Sequence, residues 1–194
     1  MSVGIVACGA LATHIADIAA SDSLDITIYP LPPLLHNRPE KIAGEVDQLL
    51  NEIKDKHSRC AVAYADCGTY GALDTVIAAH GVKRLGGNHC YDIFAGREKV
   101  ESIMESDAGT YFLTDFLVKS FHRSVIVELG LDIRPELRDD YFKNYSRVIW
   151  LAQQPTPELE ALAKSAAAEI ELPLEIQNVG YGQLAAQVKQ LLSN

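Results

Sequence analysis

The sequence has no cluster of lysine and arginine, no apolar run near the ~20 residues that cross a bilayer, and no glycine-rich phosphate motif. Each absence removes a class of function. Seventeen basic residues stand against 26 acidic ones, for a formal net charge of -9. An acidic surface cannot displace the counterions of a nucleic acid, so neither a nucleic-acid nor a membrane partner is expected. GxGxxG, GxxxxGK[ST] and the GxSxG elbow are all missing, which leaves nucleotide binding and that type of hydrolase without support. Cys8 follows a short apolar run that loosely imitates a lipoprotein cleavage site. No basic residue precedes it, however, and the run is too short for a secretory signal. A cytoplasmic protein acting on a small-molecule substrate is therefore expected, with thiols kept reduced and serving metals or catalysis more readily than disulfides.

What is plentiful is apolar surface: 48% of the 194 residues are hydrophobic, enough for one domain with a large core. Strands are expected at Val3 to Ala7, Leu24 to Tyr29, Cys60 to Tyr64, Val82 to Leu85, Arg147 to Ala152 and Leu174 to Ile176. Helical spacing fills most intervals, as with Ile42, Val46, Leu49, Leu50 and Ile53. The proline-rich stretch Pro30 to Pro39 is expected to be non-helical. Residues 109–145 look like an insertion, beginning at Gly109 to Thr114 and continuing as helix. Strand–helix alternation with short connections predicts a single α/β domain over 1–194: a doubly wound parallel sheet with helices on both faces.

Cys8, Cys67 and Cys90 each fall just after a predicted strand and just before a predicted helix. In a parallel α/β sheet all such turns lie at one edge, where ligands bind. Three thiols distant in sequence are thus delivered to one rim, and the following helix N-termini are expected to lower their pKa values. Gly9 and Gly68 would let backbone approach a ligand. His36 and His89 belong to the same rim, and three thiolates with one imidazole form a common zinc set; three cysteines with an open position also suit a catalytic metal or an iron–sulfur cluster. Tyr64, Asp66, Asn37, Asn88 and Thr69 are the other polar candidates. Tyr64 and Asp66 are taken as catalytic candidates, although Asp66 serves equally well as a helix cap. Thr110 and Tyr111 could close over the rim and bind polar groups of a substrate, or lie in an ordinary turn into a strand. Cys60 reads as a buried structural cysteine, and His14, His57, His80 and His122 as surface or capping residues.

Five segments together carry a family resemblance: Ala7-Cys8-Gly9-Ala10-Leu11, Leu35-His36-Asn37-Arg38-Pro39-Glu40, Tyr64-Ala65-Asp66-Cys67-Gly68, His89-Cys90-Tyr91-Asp92-Ile93-Phe94-Ala95-Gly96 and Gly109-Thr110-Tyr111-Phe112-Leu113-Thr114. In these the chain resembles the prokaryotic domain-of-unknown-function family sixteen-thirty-eight (DUF1638). The resemblance implies a place beside corrinoid-dependent methyltransferases in one-carbon metabolism, with corrinoid or folate reaching the protein through partners. The family more usually has an acidic residue where this chain has His89, and another near His14. Those departures favour His36 over His89 as fourth ligand. The expectation is thus a zinc or iron protein with metal ligands Cys8, Cys67, Cys90 and His36, and with Gly9, Asn37, Gly68, Thr110 and Tyr111 around the cofactor or substrate. It would act in methyl transfer as an enzyme or an accessory protein; a metal-free cysteine nucleophile is the alternative.

Overall fold

The strands that read in sequence as one alternation divide into two parallel sheets. The computed structural model describes residues 2–193. In chain order the elements are β1 (Val3–Cys8), α1 (Gly9–Asp22), β2 (Ile26–Leu31), α2 (Pro39–Ile53), β3 (Arg59–Ala63), α3 (Ala72–His80), β4 (Lys83–Arg84), α4 (Cys90–Ala95) and α5 (Arg97–Ser106). They continue with β5 (Thr110–Thr114), α6 (Asp115–Phe121), α7 (Arg138–Phe142), β6 (Arg147–Ala152), α8 (Pro157–Glu169), β7 (Leu174–Asn178) and α9 (Gly182–Ser193). Two compact units result, one of residues 1–93 with 181–194 and one of residues 94–180.

In the first unit the strand order is β2-β1-β3-β4, every pairing parallel. The chain leaves β1 toward β2, then returns past β1 to β3. Right-handed crossovers therefore put α1 on one face and α2 with α3 on the other. The packing follows: α1 lies beside α9, and α2 beside α3. This is the doubly wound arrangement, and its reversal of direction opens a crevice at the carboxyl ends of β1 and β3. β1 is buried from Gly4 to Cys8 because it is central, which is why its sequence is a run of apolar residues without alternation.

The proline-rich segment departs from expectation in two ways. β2 continues through Pro30 to Leu31, which is tolerated because β2 is an edge strand paired only with β1. Pro33–Asn37 then forms a single 3-10 turn with proline at its start, where the missing amide has no partner to lose. The predicted long helix after Cys90 is also interrupted, at Gly96 with φ +86°, to give α4 and α5.

The second unit has the order β5-β6-β7, again all parallel. Thr110–Thr114, read in sequence as the head of an insertion, is its edge strand β5. The crossovers advance in one direction and so set α6 and α8 side by side. Its core gathers Leu113, Val118, Phe121, Phe142, Val148, Trp150, Leu159 and Ala163. The stretch from His122 to Val127, after α6, is wound as a π-helix.

Candidate functional site

The first unit presents Cys8 at the end of β1, Cys67 four residues past β3 and Cys90 at the start of α4, all at the carboxyl edge of the sheet. Backbone bonds lace the loops together. Asp66 N donates to Gly87 O at 3.1 Å and Cys67 N to Asn88 O at 2.8 Å, which holds the loop after β3 against the loop after β4. The Asp92 carboxylate, buried and overlooked in the sequence, accepts from the amides of Asn88 (2.7 Å) and His89 (3.1 Å) and shapes the turn into Cys90. Gly87 has to be glycine there: its φ is +97° and a Cβ would stand 2.8 Å from Asp92 Cβ.

The three thiols share one electrostatic character. All are free cysteines, and all three pKa values are raised. Burial is the largest cause for each; for Cys67, pushed up to about 12, the charge of Cys8 comes next, and for Cys90 those of Cys67 and Cys8. The helix-terminal amides do act in the expected direction, through Ala10 and Leu11 on Cys8 and through Tyr91 on Cys90, but they are outweighed. The expectation of lowered thiol pKa values is therefore reversed: desolvation, joined at Cys67 and Cys90 by the charge of neighbouring thiols, exceeds a few amide dipoles. Arg84 stabilises a negative Cys67, yet its guanidinium is already paired with Asp74, Nε to Oδ1 at 2.6 Å and a second nitrogen to Oδ2 at 3.1 Å.

Tyr64 reaches the same place from the end of β3. Its side chain is wholly buried, and its hydroxyl lacks a hydrogen-bond partner. Burial, then the proximity of Cys8 and Cys67, pushes its pKa far up, so the hydroxyl stays protonated. In return Tyr64 acts to lower the pKa of Cys8, against the larger effect of burial.

Asp66 is committed to its own loop. Its carboxylate accepts from Thr69 Oγ1 (2.6 Å), Gly71 N (3.2 Å) and Tyr70 N (3.1 Å). This holds a segment in which Cys67, Gly68, Tyr70 and Gly71 all have positive φ, and Cys67 and Tyr70 are not glycine. Such conformations cost free energy and persist where the surroundings enforce them.

The His36 turn borders this rim. A Cβ on Gly9 would lie 2.5 Å from Leu31 O and 2.9 Å from Pro33 N, and one on Gly68 would touch Pro39 at 3.5 Å. His36 Nδ1 donates to Pro33 O at 2.6 Å, which leaves Nε2 with the lone pair; burial lowers its pKa and favours that neutral form. That hydrogen bond does not join it to the thiols. Asn37 is exposed beside it, and His89 is exposed and stacked on Tyr91 with ring centroids 6.1 Å apart. Among the described residues, no group of three or more histidine, cysteine, aspartate or glutamate side chains is arranged to hold a metal ion.

Thr110 and Tyr111 belong to the second unit. Thr110 lies at the amino end of β5, where its hydroxyl donates to Asp107 O (2.9 Å) and accepts from Arg147 Nε (3.1 Å). Tyr111 packs edge-on against Tyr145 and Phe142, and burial pushes its pKa up to about 12. At the carboxyl edge of that sheet stands buried Asp115, missed in the sequence, which accepts from Trp150 Nε1 (2.9 Å), Gln153 N (3.1 Å) and Gln154 N (2.8 Å).

Three further histidines serve the fold, and His122 is exposed with Nδ1 3.5 Å from Glu169 Oε2. His14 is buried, not at the surface: its Nδ1 donates to Tyr181 Oη (2.9 Å), which donates to Asp17 Oδ2 (2.9 Å) and ties α1 to the segment before α9. His57 bridges Ser2 and Tyr29, and His80 reaches Asp47 on α2. No helix is long and apolar enough to cross a membrane among the described residues.

No curated protein and no solved structure matches the chain. A family model does: the one described as "Protein of unknown function (DUF1638)" matches residues 30–188, which takes in His36, Tyr64, Cys67 and Cys90 but begins after Cys8. The match covers well over half of the sequence, and the chain belongs to that family.

Proposed function

We propose that Cys8, Cys67 and Cys90 form a site for a soft metal ion, zinc or iron, with His36 Nε2 as the fourth protein ligand to be tested. The observation that carries this reading is the chemistry of the donor set. One buried and two partly buried thiols lie close enough that Cys8 opposes the ionisation of Cys67, and both oppose that of Cys90, while the guanidinium that acts on Cys67 is engaged elsewhere. A bound cation would supply the missing positive charge and turn the repulsion into coordination, because thiolates, not thiols, are the ligands. Since the thiols are not already arranged for coordination, binding would draw the sulfurs together, and the loops after β3 and β4 would move as one because two backbone bonds join them.

The same pKa direction weighs against a metal-free cysteine nucleophile. Raised thiol pKa values leave little thiolate at neutral pH, and no histidine is bonded to a cysteine among the described residues. In the one-carbon setting that the family resemblance implies, thiolate-bound zinc with an open position would hold a small substrate thiol as a nucleophile for a methyl group. A corrinoid protein or methyltransferase would be the partner, in a reducing cytoplasm. With the fourth position filled by His36, a metal-handling accessory role would follow instead.

Elemental analysis of protein purified anaerobically without an affinity tag tests the site, beside a triple Cys8→Ser, Cys67→Ser, Cys90→Ser variant. About one zinc or iron per chain, lost in the variant, is expected for a single site. Absence of metal from the wild type, together with failure to take up zinc or ferrous iron on dialysis, would overturn it.

A further inference from the structure

A strand at the end of a sheet leaves half of its backbone groups unpaired, and such edges are ordinarily blunted by proline, by shortness or by burial. In the first sheet both edges are blunted. Val3 N donates to Asp25 O, so the outward residues of β2 are Ile26, Ile28 and Pro30, and the proline removes a donor. β4, at the other end, is only two residues long. In the second sheet four of the five residues of β5 are buried. β7 has none of these protections. Val148 N donates to Pro173 O and Val179 N to Ala152 O, so the parallel ladder turns residues 173, 175, 177 and 179 toward β6. Leu174, Ile176 and Asn178 each turn one N–H and one C=O outward, and among the described residues none of these groups has a backbone partner. Ile176 is 40% exposed, and Glu175 and Asn178 are exposed beside it.

We propose that the outer edge of β7 is an interface with a second copy of this chain, the two strands pairing antiparallel about a two-fold axis at Ile176. The edge is complementary to itself in that register. Ile176 exchanges both of its outward bonds with its counterpart, and Leu174 pairs with the counterpart of Asn178, so every outward N–H meets a C=O. Such a contact is isologous and closed, and it removes the open edge from both copies. The side chains agree. Ile176 faces its counterpart, which takes from water the apolar side chain that the single chain exposes. On the other face Glu175 stands opposite the counterpart of Gln177, a carboxylate against an amide that already donates to Glu175 Oε1 within one chain at 2.8 Å. Moving the axis to Glu175 would oppose two carboxylates, and moving it to Gln177 would leave Leu174 outside the paired segment. One short strand makes a contact at the small end of specific interfaces, and a dissociation constant in the micromolar range is expected.

Sedimentation velocity of the full chain, from about 1 μM to about 1 mM, reads the association. A thiol reductant and a chelator are present throughout, which removes disulfides and metal bridges as causes and makes the result independent of the thiol site. The variants are Ile176→Lys, which opposes two cations across the axis, and Ile176→Pro, which removes the central donor. The Ile176 N–H takes no part in the ladder to β6, so both variants should fold, and each should weaken the dimer at least about tenfold. In the wild type, amide exchange at Leu174, Ile176 and Asn178 should slow as the concentration rises, while exchange at Ile28 on the β2 edge should not change. A wild type that stays monomeric over the whole range would overturn the proposal. So would a dimer whose formation leaves exchange at those three amides unchanged, or one that both variants form as tightly as the wild type.

Discussion

Asp66 uses both carboxylate oxygens within its own loop, and the consequence is a pH dependence of known sign. Burial alone would raise its pKa, but the Thr69 hydroxyl, the Gly71 and Tyr70 amides and Arg84 outweigh burial and hold it below the ordinary value. A group with a depressed folded-state pKa stabilises fully above its unfolded value, near 4, and loses that contribution as the pH falls through the folded one. Asp66→Asn is expected to cost about 1 kcal/mol at neutral pH, kept small because the site is partly solvated. Urea unfolding should show the gap between wild type and variant closing below about pH 4; an equal gap throughout would mean that the charge contributes nothing. Gly9 makes a different kind of demand. An added Cβ there would meet backbone atoms of Leu31 and Pro33, which cannot swing aside as a side chain can. Gly9→Ala should lower stability by about 2 kcal/mol, and any smaller loss of metal binding than of stability would separate packing from ligation at this position.

At the scale of elements, the sequence is most legible where one residue pattern has one physical outcome. Arg147–Ala152 reads as a strand and is one, since five apolar residues in a row suit a central parallel strand buried on both faces. The amphipathic spacing of Ile42, Val46, Leu50 and Ile53 likewise gives α2, whose buried residues are those four. Gly44 lies on the exposed side of that helix with nothing near its missing Cβ, so Gly44→Ala should raise stability by about 0.5–1 kcal/mol. Pairing between elements is less legible. Nothing in the periodicity of β4 and β5 says that they belong to different sheets, because hydrogen-bonded neighbours are chosen by the fold and not by local pattern. The three cysteines are read at the rim from strand–helix alternation alone, whereas the raised pKa values and the orphan Tyr64 hydroxyl depend on how far burial proceeds. His14 and Tyr181 are 167 residues apart, and Asp115 meets Trp150 across 35, so neither pair leaves a local signal. Asp115 joins the ends of β5 and β6, and Asp115→Ala would strand three donors, two of them on the backbone. A loss of about 3 kcal/mol is expected, read by the fluorescence of Trp150, the chain's one tryptophan.

For the whole molecule, the proposed metal site would link stability to metal concentration. Cys8, Cys67 and Cys90 follow three separate strands and are brought to one edge by the parallel order of the first sheet. An unfolded chain does not hold them together, so the free energy of binding a metal there would add to the stability of the fold. At free zinc 100 times the dissociation constant the gain is about 2.7 kcal/mol, which for a chain of this size raises the thermal midpoint by roughly 5–10 °C. Residual binding to unfolded cysteines would reduce that figure. The net charge of -9 supplies a competing cause, because any cation relieves repulsion across an acidic surface. The two are separable by chemistry and by salt. Surface relief is screened at high ionic strength and is insensitive to cation softness, whereas thiolate ligation survives salt and rejects magnesium. Thermal unfolding in 0.5 M sodium chloride, with zinc or magnesium and with the triple serine variant as control, decides between them. A zinc-dependent rise confined to the wild type is expected. An equal rise with magnesium, or in the variant, would assign the effect to the acidic surface and leave the three thiols without a ligand.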